Sequence, residues 1–324
     1  MEWLTRTELE AARDIVAGHI LPTPTHNWPL LDQRVGGEVW VKHENHTPVG
    51  AFKVRGGLVY LTRLKADHPD LAGVITATTG NHGQSVGRAA RMVGLSATIV
   101  VPKGNNPGKS AAMAAQGVDL IEQGDDFQSA KEFAETLAAE RGLHMVPSFH
   151  PWLVQGVASY GLELFEAQPD LDTVYVPIGL GSGICGVIAA RDALGLTAEI
   201  VGVVAEGAPC YALSYTAGRV VATNGVATIA EGLAVRQPDA SALEIIRKGA
   251  ARIITVSDDE ISAAMAAYFT DTHNLAEGAG AATLAARLQE RGAMAGKKTG
   301  VVLSGGNVDK DLLVRVLAGK GAGG

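Results

Sequence analysis

Lys53 is the first residue of the chain whose type and surroundings suggest chemistry. It lies in HTPVGAFKVRGG, residues 46–57, which we call the lysine segment, between Phe52 and Val54 and close to three glycines. A lysine that is partly removed from water has a lowered pKa, and its neutral amine can attack a carbonyl carbon. A lysine at the boundary of a core can instead keep its ammonium in water. The segment alone leaves both interpretations open.

Hydroxyl, amide and imidazole side chains cluster in a second stretch, TATTGNHGQSVGRAA, residues 76–90. A predicted strand ends there and a helix begins, so free backbone N–H groups and the helix dipole favour a bound carboxylate or phosphate. A helix N-cap needs only one such side chain. Four stand among five positions here, namely Thr78, Thr79, Asn81 and His82. We call residues 78–82 the Asn-His loop and predict that it binds an anionic group.

Glycines dominate a third turn, PIGLGSGICGV, of which residues 179–183 are called the glycine turn. Its glycines would let the backbone wrap a phosphate at the start of a helix. A second interpretation fits the same letters. Gly181, Gly183 and Gly186 spell G-x-G-x-x-G, and Glu206 ends the next predicted strand, 20 residues further on. This is the fingerprint of dinucleotide binding, so a nicotinamide or flavin oxidoreductase is an alternative.

Two further residues are candidates for the same site. Ser304 closes a predicted strand in VVLSGGNVD, residues 301–309, which we call the serine turn. Ligands of open α/β sheets gather at the carboxyl ends of the strands, so its hydroxyl could face a bound ring; a plain tight turn is the other interpretation. Glu277 precedes the small residues of a predicted helix. It is either a wall of the site or a first-turn glutamate that the helix dipole favours.

These turns must be positioned by an α/β fold. Short apolar, β-branched runs alternate with alanine-rich helical patterns. Continuous apolar strands separated by helices predict mostly parallel sheets flanked by helices. The predicted strands are 38–44, 73–78, 97–102, 118–123, 173–179, 199–206, 252–257 and 299–306, and the clearest helices are 110–117, 126–142 and 258–272.

Composition excludes several classes of function. The 324 residues carry 27 Lys and Arg against 34 Asp and Glu, a net charge of −7, so we expect no nucleic-acid partner. No apolar run approaches the roughly 20 residues of a membrane span, and the start of the chain lacks an apolar signal segment. With only two cysteines, a disulfide framework is not expected and a reducing, cytoplasmic location is.

Taken in chain order, the four segments resemble those of the serine/threonine dehydratase family of pyridoxal-phosphate enzymes, which have fold type II. GAFKVRGG is similar to the family's Ser-Phe-Lys-x-Arg-Gly segment, and TTGNHGQS to its Ser-x-Gly-Asn-His-Gly-Gln loop. GLGSG resembles its tetraglycine turn, and SGGNVD the segment whose serine meets the pyridine nitrogen. The resemblance spans nearly the whole chain, and its details are similar to a subgroup linked to hydroxyectoine breakdown and phenylserine. The dinucleotide interpretation, by contrast, has no role for Lys53 or Ser304.

The resemblance implies pyridoxal 5′-phosphate as the cofactor. Lys53 would hold it as a Schiff base and, once freed, would remove the α-proton of the substrate. The predicted cofactor-binding residues are Phe52, Lys53, Asn81, Gly179, Leu180, Gly181, Ser182, Gly183, Glu277 and Ser304. The predicted substrate-binding residues are Thr78, Thr79, Asn81 and His82.

The predicted reaction is α,β-elimination of water from a β-hydroxy amino acid, which gives a 2-oxo acid and ammonia. An amino-acid racemase is the nearest alternative, because Thr79 stands where the resemblance places the serine of a racemase; Thr79 is therefore a second catalytic candidate. Related enzymes often bind a divalent cation after the strand at 199–206. Here Cys210 and Ala212 occupy positions where ligands would be expected, so we predict no metal, and a role for Glu206 is doubtful.

The resemblance also implies the organisation of the chain. It predicts two lobes of the kind found in the tryptophan synthase β-subunit. Residues 1–72 and 148–324 would form a large cofactor-binding domain, and residues 73–147 a small domain that closes over the substrate. The expected partners are a small amino-acid substrate and a second copy of the chain in a homodimer.

Overall fold

The computed structural model describes residues 4–320, and its elements alternate between helices and strands over most of the chain. The helices are α1 (Arg6–Ala17), α2 (Pro29–Val35), α3 (Lys53–Asp67), α4 (Asn81–Met92), α5 (Pro107–Ala114), α6 (Phe127–Arg141), α7 (Pro151–Ala167), α8 (Ser182–Ala193), α9 (Cys210–Ala217), α10 (Ala240–Gly249), α11 (Asp258–Thr272), α12 (Gly278–Gln289) and α13 (Lys310–Leu317). The strands are β1 (Thr25–Asn27), β2 (Glu38–His43), β3 (Gly73–Ala77), β4 (Ser96–Val101), β5 (Asp119–Glu122), β6 (His144–Met145), β7 (Thr173–Pro177), β8 (Glu199–Ala205), β9 (Arg252–Val256) and β10 (Lys298–Leu303).

The larger sheet has six strands in the order β1-β2-β10-β7-β8-β9. β1 is antiparallel to β2, and the other neighbours are parallel. In the pairing of β2 with β10, Leu303 stands opposite His43. The lysine segment and the serine turn therefore leave the sheet side by side at one edge, where the carboxyl ends of parallel strands meet.

The smaller sheet has four parallel strands in the order β5-β4-β3-β6. β3 lies in its interior, and the Asn-His loop follows β3. The two sheets confirm the predicted fold class, an α/β fold of mostly parallel sheets flanked by helices. The division at 73 and 147 stays a prediction.

Helix α3 connects the two sheets physically. Its first residues follow β2 of the larger sheet, whereas Leu58 and Leu61 pack in one apolar core with Val74 of β3 and Ile99 of β4. Burial of such side chains stabilises the contact by about 1.5–3 kcal/mol each. The start of α3 therefore belongs to the edge of one sheet, and its body to the core of the other.

The structure differs from the predicted elements mainly at their ends. Helix α5 begins at Pro107, three residues before the predicted start at 110, because the side chain of Asn106 accepts the Lys109 N–H and proline is favourable in a first turn. The short strands β1 and β6 were not predicted, since two or three residues carry no periodic pattern. Within residues 4–320, no helix is both long enough and apolar enough to cross a bilayer.

Candidate active site

Lys53 is the first residue of α3 and stands where the larger sheet meets the smaller one. The N–H of Phe52 is donated to the Ser304 carbonyl (3.0 Å), and the Ser85 hydroxyl of α4 is donated to the Lys53 carbonyl (2.7 Å). Burial lowers the pKa of the Lys53 amine, and the charge of Glu277 opposes that shift only in part. A lowered pKa leaves a larger share of the amine neutral, and the reactive role of Lys53 stays a prediction.

The Asn-His loop joins the end of β3 to α4, which begins at Asn81. The Thr78 hydroxyl accepts the Gly80 N–H (3.2 Å), which fixes the turn. His82 is buried with no hydrogen-bond partner for its Nε2 atom among the described residues. Burial, reinforced by Lys53, lowers its pKa to about 3, so His82 is neutral near pH 7. An unpartnered buried nitrogen at a helix start fits a site that takes up a polar ligand.

The glycine turn lies between β7 and α8. Gly181 has a φ of 104°, a conformation that L side chains rarely adopt, and the Tyr211 hydroxyl is donated to the Leu180 carbonyl (2.7 Å). The first helical hydrogen bond of α8 runs from the Cys185 N–H to the Gly181 carbonyl (3.0 Å). The N–H groups of Ser182, Gly183 and Ile184 therefore lead the helix, as a phosphate site requires.

Ser304 and Glu277 face the same edge. Ser304 follows β10 and is 3% exposed. Glu277 precedes α12, and its N–H is donated to the Gly305 carbonyl (3.0 Å). Burial raises the pKa of the Glu277 carboxyl to about 7, although two hydrogen bonds from the Asn81 amide (2.8 and 3.1 Å) act to lower it.

Direct contacts link all four segments. Phe52 of the lysine segment bonds to the serine turn, and its ring lies 3.7 Å from the point where a Cβ of Gly183 would stand in the glycine turn. The Asn81 side-chain amide donates to Glu277, and the Asn307 side-chain amide of the serine turn donates to the Asn81 Oδ1 atom (2.8 Å). The sequence-predicted residues thus come together around one point, and their individual roles stay predictions.

A buried ion cluster lies beneath the start of α3. The guanidinium of Arg55 makes two hydrogen bonds to Glu44 (2.7 and 3.0 Å) and two to Glu163 (2.6 and 2.9 Å). Lys42 also pairs with Glu163. The side chains of Arg55, Glu44 and Lys42 have no exposed surface. The cluster ties the first turn of α3, and with it Lys53, to β2 and α7.

The dinucleotide interpretation lacks its geometry. A Cβ at Gly186 would lie only 2.9 Å from the Ala158 nitrogen, so this glycine allows α8 to approach α7 and does not face a ligand. Glu206 is exposed at the end of β8. Among residues 4–320, no group of three or more His, Cys, Asp and Glu side chains is arranged to hold a metal ion; the expectation of no metal stays a prediction.

Sequence reasoning missed a part of the site contributed by Lys109, Glu231, Gly232 and Asn307. These residues line a cavity together with Glu277. A Cβ at Gly179 would run into the Gly232 carbonyl, so the loop around Gly232 covers the glycine turn. Asn307 lies in the motif SGGNVD, but its type alone did not single it out. Lys109 and Glu231 carry no sequence signal, because only the fold brings them together.

Comparison with known proteins agrees with this geometry. Residues 16–305 match the family model for pyridoxal-phosphate dependent enzymes. The chain is 33% identical to L-threonine ammonia-lyase of Thermotoga maritima over 289 residues, 89% of this chain and 72% of that protein. It is 31% identical to L-threo-3-hydroxyaspartate ammonia-lyase of Saccharomyces cerevisiae over 95% of each chain. A crystal structure of a pyridoxal 5′-phosphate-dependent aspartate racemase superimposes with a TM-score of 0.90 at 31% identity, covering 95% of this chain and 97% of that one. The chain therefore belongs to the family of pyridoxal-phosphate dependent enzymes.

Proposed function

We propose that this protein is a pyridoxal-phosphate-dependent ammonia-lyase that eliminates water from a β-hydroxy amino acid and yields a 2-oxo acid and ammonia. One observation carries the proposal: Lys53, an amine whose pKa burial lowers, stands among the Asn-His loop, the glycine turn and Ser304. The curated relatives named above are themselves ammonia-lyases.

The residues present fit the cofactor. Lys53 would hold it covalently, the N–H groups that lead α8 would hold its phosphate, and the Ser304 hydroxyl would face its ring nitrogen. Phe52 lies between Lys53 and the glycine turn, and Asn81 and Glu277 would complete the wall. When bound, pyridoxal phosphate supplies a ring that accepts the electrons left by loss of the α-proton.

The side chains divide the remaining work. The Asn-His loop would hold the substrate carboxylate on the N–H groups and neutral donors at the start of α4. The freed Lys53 amine would take the α-proton, since its lowered pKa leaves it available as a base. The hydroxyl on Cβ would then depart as water with the proton that Lys53 took from Cα, and the released enamine would hydrolyse to a 2-oxo acid and ammonia. A serine hydroxyl cannot keep a ring nitrogen protonated as a carboxylate would, and this favours prompt loss of the leaving group.

Racemisation is the second candidate function. Its support is the likeness to an aspartate racemase and the position of the Thr79 hydroxyl in the Asn-His loop. A racemase needs a second base on the opposite face of the ring. The curated relatives named above are ammonia-lyases, so elimination is the better-supported reaction. Chiral analysis of the remaining substrate distinguishes the two, because a lyase leaves no accumulating D-enantiomer.

The wider setting belongs to the same proposal. Residues 1–72 with 148–324, and residues 73–147, form the two lobes, and two copies of the chain associate as a homodimer in the cytoplasm. The burial of both free thiols, Cys185 and Cys210, agrees with a reducing compartment. The acidic balance of the chain argues against nucleic-acid binding. Analytical ultracentrifugation tests the dimer directly, and a monomer would contradict it.

The decisive experiment is the absorbance spectrum of the purified holoenzyme, before and after borohydride reduction, followed by peptide mapping. We expect a visible band that reduction fixes onto the peptide containing Lys53, and release of 2-oxo acid from serine or threonine. Lys53→Ala should lose both, while Lys131→Ala, which changes an exposed lysine paired with Glu135, should keep both. A colourless protein that takes up no pyridoxal phosphate, or full turnover by Lys53→Ala, would refute the proposal.

A further inference from the structure

Three acidic side chains and one lysine line a cavity beside the Asn-His loop. Its walls come from α5, from the loop before α10, from the start of α12, from the serine turn and from α13. Its charged members within residues 4–320 are Lys109, Glu231, Glu277 and Asp309. One ammonium therefore faces three carboxyl groups.

The cavity adjoins the reacting centre. Glu277 receives both hydrogen bonds from Asn81, the first residue of α4, and acts on the Lys53 amine through its charge. On the other side of the loop, the Cδ of Lys109 lies 3.7 Å from where a Cβ of Gly80 would stand. An amino acid held by its carboxylate on the Asn-His loop consequently has this cavity next to its side chain.

The single ammonium of the cavity is already paired. Lys109, whose side chain is 14% exposed, forms an ion pair with Glu231, whose side chain is 57% exposed. Asp309 stays ionised, because hydrogen bonds from the Leu312 and Asp311 N–H groups and from Asn106 keep its pKa low. A second carboxylate on the substrate would therefore meet Glu231 and Asp309 without a free cation to receive it.

We infer that Glu231, by occupying the ammonium of Lys109, makes this enzyme select β-hydroxy amino acids with a neutral or cationic side chain over those with a second carboxylate. The inference rests on the proposed function and narrows its substrate class. Glu231 is a specificity-determining residue in this account, and it takes no part in the elimination. Without Glu231, Lys109 would be free to bind a distal carboxylate.

The test compares kcat/KM of the holoenzyme for threonine and for threo-3-hydroxyaspartate, measured as 2-oxo acid release. We expect the wild type to prefer threonine at least roughly tenfold, the order of effect of one charge at short range. Glu231→Gln should raise the hydroxyaspartate-to-threonine ratio about tenfold, and Lys109→Gln should lower it. Glu244→Gln, which breaks the exposed Glu244–Lys248 pair, is the matched control and should leave the ratio unchanged.

Opposite shifts in the two variants would support the inference, since general damage to the fold moves both in one direction. Raising the ionic strength should also increase the wild-type ratio, and this measurement needs no variant. A ratio in Glu231→Gln within twofold of wild type, or a wild type that uses both substrates equally, overturns the inference. If the wild type acts on no β-hydroxy amino acid, the proposed function itself fails, and the inactivity on threonine identifies that result.

Discussion

Replacing Arg55 by methionine should destabilise the protein strongly, because the Arg55 side chain has no exposed surface and holds the buried ion cluster together. The change removes a guanidinium that bonds to two carboxylates, the Ser159 hydroxyl (3.0 Å) and the Thr23 hydroxyl (3.2 Å), while the methionine stem still fills part of the volume. Glu163 keeps the ammonium of Lys42. The carboxylate left without its cation is therefore that of Glu44, whose side chain has no exposed surface.

The magnitude follows from that imbalance. Removing one partner of a buried ion pair costs about 3–5 kcal/mol, because the other charge stays buried without compensation. Lys42 remains nearby and the Thr23 hydroxyl still donates to Glu44 (2.6 Å), so the lower end, about 3 kcal/mol, is expected. Adding Glu44→Gln removes the stranded charge and should recover a large part of the loss.

Urea unfolding of the apo-protein, followed by circular dichroism, measures the free energy of unfolding for the single and double variants. Arg6→Met, which breaks an exposed pair with Glu10, is the control and should leave the unfolding curve in place. A loss below about 1 kcal/mol in Arg55→Met, the size typical of a surface pair, would refute the reasoning. So would a double variant that is no more stable than the single one.

Three further predictions follow from other residues. Burial raises the pKa of Glu277 to about 7 from the ordinary 4.5, so its contribution to stability is present below pH 4.5 and is lost as the pH rises through about 7. Glu277→Gln should therefore flatten the fall in the free energy of unfolding over that pH range, and an unchanged slope would contradict this. Gly186→Val should separate α7 from α8 and cost about 1–3 kcal/mol in urea unfolding, whereas a ligand-facing Gly186 predicts weaker cofactor binding at unchanged stability. Tyr211→Phe leaves the Leu180 carbonyl without its donor and should cost about 1–3 kcal/mol while raising the Kd of pyridoxal phosphate in fluorescence titration; an unchanged Kd would show that the turn needs no such support.

The sequence predicted the segments of the site better than the contacts between them. Lys53, the glycine turn and Ser304 follow strands of the larger sheet, and parallel strands bring their carboxyl ends to one edge. The Asn-His loop follows β3 of the smaller sheet in the same way. The residue types within each segment were therefore enough to locate these parts of the site. The bond from Asn81 to Glu277 joins residues 196 positions apart and depends on how two sheets meet, which no spacing in the chain encodes.

Other parts of the site could not be predicted for related reasons. Arg55 was only a letter in a motif, since its role depends on Glu44 and Glu163 reaching the same buried point. Lys109 and Glu231 each resemble ordinary surface charges, and their pairing across 122 positions appears only in the fold. The G-x-G-x-x-G pattern suggested a dinucleotide site as an alternative, but Gly186 allows two helices to pack closely and does not face a ligand.

Helix α3 forms the junction between the two sheets. Its first residue is bound next to the serine turn of the larger sheet through Phe52, while its body is embedded in the core of the smaller sheet. A rotation of the smaller sheet about this junction would move the Lys53 amine least, because a point on the axis travels the shortest distance. Such a rotation would open the site for exchange of substrate and product while the position of the Lys53 amine stays nearly constant.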